Sequence, residues 1–330
     1  MNINTSNPAE HLRDILIEPA PDLFFSRNDS SDPRMGDIVV RKLEAYVPEI
    51  RVGILGCPQD DGVRRNKGRT GAREAPTEIR RALYKLTPFS LETDISEIRM
   101  FDFGNIREGY TLEETHEHLE YAVEVLMDNK VFPIVLGGGH DIAYPDWCGF
   151  ANSAHRVGTI NIDAHLDYRK PIPERNSGTS FRQILNHESR KLHPQNFVEF
   201  GTQGFVNSAE YTRELHERGA SIVSLDYLHK VGCANAFATA LERASLGTER
   251  VYVSVDMDAV RSGDAPGVSA ASPAGLSAEE LLHVAQMAGK HYAVGMIDIA
   301  ETNPLFDHDG RTAKLAALVI MNFLAGFAQR

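Results

Sequence analysis

The chain runs to 330 residues, 42% of them hydrophobic and 24% charged, with a formal net charge of -12. That length can bury one large α/β domain or two ordinary ones. The acidic balance argues against a general nucleic-acid binder, no apolar run approaches the ~20 residues of a membrane span, and the scattered Cys57, Cys148 and Cys233 make neither a disulfide framework nor a zinc cluster.

The first residues include Glu10, Arg13, Asp14 and Glu18 and lack the apolar segment of a signal peptide. A reduced, cytoplasmic protein is expected. Residues 1–48 are punctuated by Pro19, Pro21 and Pro33 and contain a polar, turn-rich run at 26–32. They read as an N-terminal extension that packs on the domain or on a neighbouring subunit. Residues 49–330 show no Pro/Gly/Ser linker and form a single domain. Within it, short apolar runs rich in Val and Ile alternate with helical patterns. The runs at 51–56, 98–102, 132–137, 157–163, 196–201, 221–225, 250–256 and 293–298 show little polar alternation, as strands buried on both faces should. The pattern at 112–128 places Leu119, Ala122, Val123 and Leu126 on one helical face. Those at 277–289 and 312–328 are similar, and Ser277 followed by Glu280 has the form of a capping box. Such alternation predicts a mostly parallel sheet with helices on both faces.

Three segments at predicted strand ends carry ligand-type side chains: Gly137-Gly138-Gly139-His140-Asp141, Asn161-Ile162-Asp163-Ala164-His165-Leu166-Asp167 and Ser254-Val255-Asp256-Met257-Asp258. In open parallel sheets, ligands bind beyond the carboxyl ends of the strands. Residues two apart in an extended segment point the same way, so Asp163, His165 and Asp167 can share one side, as can Asp256 and Asp258. His140 follows three glycines that permit a sharp turn and close approach. A lone D-x-D is commonly a cap and a lone histidine a structural residue. Three such segments together are specific. Four carboxylates and two imidazoles without a thiolate favour Mn²⁺-like ions over structural zinc. Six ligands fill two shells only if carboxylates bridge ions about 3.5–4 Å apart. Glu301, in Asp298-Ile299-Ala300-Glu301-Thr302-Asn303-Pro304, could hold a cationic amidine by charge-assisted hydrogen bonds, or serve as a salt-bridge partner.

These motifs, in this order, resemble the ureohydrolases: arginase, agmatinase and formimidoylglutamase. The loop Gly62–Ala72 looks like their N-terminal loop, and the resemblance spans roughly residues 50–328. It implies a three-layer α/β/α fold with a mostly parallel eight-stranded sheet, so that residues 49–330 make an arginase-like catalytic domain. It also implies two Mn²⁺ per subunit, held by His140, Asp163, His165, Asp167, Asp256 and Asp258. Asp163 and Asp256 would bridge, and Glu301 would orient the amidine. A homo-oligomer, trimer or hexamer, is implied as well.

Within the family the loop after Asp167 is informative. Arginases and agmatinases carry a histidine there, whereas this chain has none between Asp167 and Leu185. Ser177 stands in its place, and Ser177-Gly178-Thr179-Ser180-Phe181-Arg182-Gln183 looks like formimidoylglutamase, as does Gly201–Ser208. Ser177, Thr179 and Arg182 are therefore expected at the substrate. Arg182 would hold a substrate carboxylate bidentately, or else face solvent. The expected reaction is Mn-dependent hydrolysis of N-formimino-L-glutamate to L-glutamate and formamide, a step of histidine degradation, by a metal-bridging hydroxide. Asp167 is one expected source of the proton for the leaving amine. The alternatives are hydrolysis of another guanidino or amidino compound and a metal-binding relative without catalysis.

Overall fold

Every one of the eight apolar runs forms a strand in the computed structural model, which describes residues 8–42, 45–47 and 49–330. In chain order the strands are β1 (Leu16–Ile17), β2 (Val52–Gly56), β3 (Met100–Ile106), β4 (Phe132–Leu136), β5 (Val157–Ile162), β6 (Leu192–Thr202), β7 (Ser221–Ser224), β8 (Arg250–Asp256) and β9 (Val294–Ala300). They make one nine-stranded sheet in the order β1-β3-β2-β4-β9-β8-β5-β6-β7. All pairings are parallel except that of β1 with β3. The ninth strand comes from the extension. Two residues are too few to show a period, so sequence pattern could not announce it.

Both faces of the sheet are covered. Val251, Val253 and Val255 of β8 point into one core, shared with Phe237, Leu281, Val284, Ile320 and Phe323 from the helices Cys233–Ser245, Ala278–Lys290 and Arg311–Phe327. Tyr252 points into the other, with Leu119, Trp147, Phe181 and Leu215 from the helices Leu112–Asp128, Ala143–Asn152, Ser180–Leu185 and Ala209–Arg218. This is the period-2 alternation of a strand sandwiched between helices. Each such buried aliphatic side chain favours the fold by about 1.5–3 kcal/mol. The helix Ala278–Lys290 begins with the reciprocal Ser277–Glu280 capping box. Leu12, Leu23, Met35 and Val39 of the extension are buried in the same two cores, while residues 1–7, 43, 44 and 48 lie outside the described part. Among the described residues, no helix is long and apolar enough to cross a membrane.

The winding positions the site. From β5 the chain moves outward through β6 and β7, then returns to lay β8 and β9 between β5 and β4. The carboxyl ends of β4, β9, β8 and β5 thereby become neighbours, although their residues are far apart in sequence. These are the ends that carry His140, Glu301, Asp256 and Asp163.

Candidate metal centre and active site

The turn after β4 needs its glycines for close approach. A Cβ on Gly138 would lie 1.6 Å from the Gln59 carbonyl oxygen. The Gly139 amide donates to that carbonyl at 3.1 Å, and the Glu301 amide donates to the Gly138 carbonyl at 2.8 Å. His140 is delivered into the sheet edge fully buried. Its Nδ1 lies 2.9 Å from Asp167 Oδ2, 3.1 Å from Asp256 Oδ2 and 3.3 Å from Asp163 Oδ2. His165 Nδ1 lies 3.1 Å from Asp258 Oδ2 and 3.5 Å from Asp163 Oδ1. All six expected ligands are thus together. They form two groups, His140/Asp163/Asp167/Asp256 and Asp163/His165/Asp258, with Asp163 common to both. Its two oxygens face one group each.

An imidazole nitrogen carries at most one proton, so it cannot satisfy three carboxylates at once. His140 Nδ1 and Asp258 Oδ1 are buried without a hydrogen-bond partner. Burial alone would lower the His140 pKa, yet Asp163, Asp167 and Asp256 hold it well above the imidazole range. Burial likewise works against the charge on His165, and Asp258 and Asp163 push its pKa up to about 12. Burial, eased by His165, raises Asp258 to about 7. Without cations the cluster holds protons. Hard divalent ions satisfy the same oxygens and nitrogens, and the donor set suits Mn²⁺.

A second polar layer backs the first. Asp298, Ser254, Asn161 and Glu199 are registered neighbours across β9, β8, β5 and β6, one pleat before the ligands. His140 Nε2 and Ser254 Oγ are 2.9 Å apart, and Ser254 Oγ donates to Asp298 Oδ1 at 2.8 Å. Asp298 also accepts from the Tyr252 hydroxyl. Asn161 Nδ2 reaches Asp163 Oδ2 at 3.3 Å and Glu199 Oε2 at 2.8 Å. Such contacts fix the tautomer and direction of the groups that hold a metal. None was read from sequence. The signal was present, since Ser254 precedes Asp256 by two and Asn161 precedes Asp163 by two.

Glu301 stands at the edge of the cluster with φ +62°. Its Oε1 accepts from the His140 amide at 2.9 Å, while Oε2 is buried and unpartnered. Burial, reinforced by Asp256, raises its pKa well above the carboxylate range. An amidinium offers the hydrogen bonds and charge that this oxygen lacks.

A cavity of about 270 Å³ opens over Asp167, His165, Asp256, Asp258 and Glu301. Ser177 lines it, and its Oγ accepts from Asn66 Nδ2 at 3.1 Å. The other two loop residues need correction. Thr179 is buried outside the cavity, where its hydroxyl donates to the Asn176 carbonyl at 2.8 Å and accepts from Gln183 Nε2 at 2.9 Å. Arg182 neither lines the cavity nor faces solvent. Its two terminal nitrogens fork onto Glu214 at 2.8 Å each, Nε donates to the Tyr168 carbonyl at 2.8 Å, and the guanidinium lies 3.9 Å from the Tyr168 ring centroid. Each of its three nitrogens is thus engaged by the fold, away from the cavity. The cationic residues that do line the cavity are Lys67, Arg69 and Arg169.

A parallel sheet whose central strand ends present two carboxylate–imidazole groups sharing one aspartate defines a binuclear metallohydrolase of α/β/α type. A model of the arginase family matches residues 50–326, and the chain belongs to that family. It is 34% identical over 276 residues to a formimidoylglutamase of Staphylococcus carnosus, covering 82% of this chain and 85% of the relative. A formimidoylglutamase of Rhodococcus opacus is 32% identical over 320 residues, covering 94% and 96%. Among solved structures, Trypanosoma cruzi formiminoglutamase with Mn²⁺ superposes with a TM-score of 0.85 at 34% identity, covering 91% of this chain and 99% of that one. Formimidoylglutamase from Bacillus subtilis gives a TM-score of 0.85 at 25% identity, covering 98% and 99%.

Proposed function

We propose that this protein hydrolyses N-formimino-L-glutamate to L-glutamate and formamide, using two Mn²⁺ ions held by His140, Asp163, His165, Asp167, Asp256 and Asp258. The observation that carries the reading is that Asp163 serves both ligand groups beside the unpartnered Oε2 of Glu301. The formimidoylglutamase relatives give the substrate. When bound, such an ion pair lowers the pKa of water so that hydroxide is available near neutral pH. The protein's own groups do the rest. Glu301 Oε2 takes the N–H groups of the cationic formimino carbon and turns its face to the cluster. Its second oxygen stays fixed by the His140 amide, so the carboxylate needs no reorganisation as charge moves. The water oxygen joins that carbon, the carbon–nitrogen bond to glutamate breaks, and the amine leaves once protonated. Asp167 is assigned to hold that proton. At 13% side-chain exposure it is the most open carboxylate of the ligand set, against 0–4% for Asp163, Asp256 and Asp258.

Ser177 is assigned to the substrate because it lines the cavity. The reading includes residues 49–330 as the catalytic domain with 1–48 as an extension packing on it or on a neighbouring subunit, a homo-oligomeric assembly, and a reducing cytoplasmic setting. Three free cysteines accord with that setting. The test is turnover by Mn²⁺-loaded protein on N-formimino-L-glutamate, arginine and agmatine side by side. Preference for the first, lost on chelation, is the expected result. Urea release from arginine or agmatine would retain the metal chemistry and overturn the substrate. Silence on all three with metal bound would overturn the hydrolase reading.

A further inference from the structure

The cavity is electrically lopsided. Every carboxylate that lines it belongs to the ligand set or is Glu301, all at the sheet edge. The cations come from the loops above. Arg69 is already committed: its Nε donates to the Ser269 carbonyl at 2.9 Å, Nη2 to the Val268 carbonyl at 2.6 Å, and its guanidinium lies 4.2 Å from the Phe306 ring centroid. It is a wall. Lys67 and Arg169 are different, since both are exposed at the cavity and neither side chain has a hydrogen-bond or ion-pair partner among the described residues.

Their placement is built by contacts between two loops. The Ser177 amide donates to the Gly62 carbonyl at 3.2 Å, and the Arg169 amide donates to the Gly178 carbonyl at 2.9 Å. Asn66 then bonds Ser177 through its side chain. Gly178 is the seam. A Cβ there would stand 3.0 Å from Arg169 Cδ and 3.1 Å from Asn66 Nδ2, so the arginine stem lies across it beside the residue that precedes Lys67. Lys67 itself is held at φ +62°, a conformation lysine seldom adopts. Its position is thus imposed by the surrounding loop.

We propose that Lys67 and Arg169 form a two-cation clamp for the carboxylates of a dicarboxylate amidine, an inference that rests on the activity proposed above and deepens it. The ligand that matches has a cationic head for Glu301 at the floor and a doubly negative tail for the mouth. N-formimino-L-glutamate has that polarity. Agmatine, cationic at both ends, presents an ammonium to two unpaired cations. The clamp therefore selects by attraction and by repulsion. It takes the role that Arg182 cannot fill.

The experiment compares Lys67→Met, Arg169→Met and the double variant, all Mn²⁺-loaded, with the parent protein. Steady-state kinetics on N-formimino-L-glutamate is paired with calorimetric titration of glutarate, which has the two carboxylates and no reacting group. Each single change is expected to raise KM about tenfold or more, and the double change to raise it further. In each case kcat should fall by less than KM rises, and bound Mn²⁺ should not change. Glutarate binding should weaken in parallel. Unchanged KM and unchanged glutarate binding in the double variant would overturn the clamp, as would a parent protein that does not bind glutarate. A parent that binds glutarate through these two residues yet turns over no formimino substrate keeps the clamp and overturns the activity assigned to the site.

Discussion

The floor and the mouth of the cavity are built on opposite plans. The floor hangs from the ends of four adjacent parallel strands, is buried, and has a second polar row behind it. The mouth is made of two exposed loops held to each other by a few hydrogen bonds. Strand ends fix direction to within a rotamer, which metal ligation requires. Loops tolerate exchange of side chains, which a change of substrate requires. The difference teaches where to look for chemistry and where to look for choice.

That contrast can be broken most severely at the floor. Asp163→Ala removes the one ligand shared by both groups, so bound Mn²⁺ should drop for both sites, and turnover should fall by ~10³-fold or more. Metal analysis after gel filtration, with the steady-state rate, checks it; retention of both ions would mean that Asp163 is not the shared ligand. Glu301→Ala should cost about 10²–10³-fold in kcat while leaving the metal content near two per chain. Undiminished turnover would remove the amidine-orienting role. Ser254→Ala leaves every ligand in place but unmoors His140 Nε2. Metal affinity should weaken by about 10–100-fold, read by competition with a chelator. A wild-type affinity would show that the polar row is idle.

The mouth yields smaller effects. Arg65 bonds Glu113 at 2.7 Å and meets Glu174 at 3.3 Å, tying the helix Leu112–Asp128 to the loop that carries Ser177. The hydrogen bond from Arg65 lowers the Glu113 pKa to about 2. The sign follows from that depression. The pair's stabilisation is complete above the ordinary carboxylate pKa of 4.5 and is lost as pH falls toward about 2. Because Glu113 is 39% exposed, solvent screening keeps the effect to roughly 0.2–1 kcal/mol. Glu113→Gln should lower Tm slightly at neutral pH, and the difference should shrink steadily as pH falls from 4.5 toward about 2. An equal loss throughout would mean that packing, not charge, is at work.

The same contrast explains what the chain discloses before it is folded. Strand ends are legible because the spaced Asp163, His165 and Asp167, and Asp256 and Asp258, directly follow apolar runs, although it is turns just past β5 and β8, not continued strand, that gather them: Asp167 has φ +40° and Asp258 lies in a 3-10 turn. The layer behind them was equally legible at Ser254 and Asn161. It went unread because serine and asparagine in a buried strand do not look like chemistry until a histidine or carboxylate is seen above them. The insertion of β8 and β9 between β4 and β5 was not legible, since strand order depends on pairings far apart in sequence, such as Ile134 with Ile297 and Val157 with Arg250. Arg182 failed for a related reason. Its partner Glu214 lies on the next long helix, beyond β6, and no local pattern links them. Lys67 and Arg169 were in view, but only the folded loops turn them toward one cavity.

The left-handed backbone at three cavity residues has a practical consequence. Lys67, Asp167 and Glu301 sit at φ +62°, +40° and +62°, each where a segment turns out of regular structure into the cavity. Conformations of this kind cost of order 1 kcal/mol or more each and persist only because the surroundings over-determine them. Selection for heat resistance alone would therefore find its easiest gains here, for example by admitting glycine at 67 or 301. The protein that survived such a selection would be sturdier and would have surrendered its grip on the substrate first.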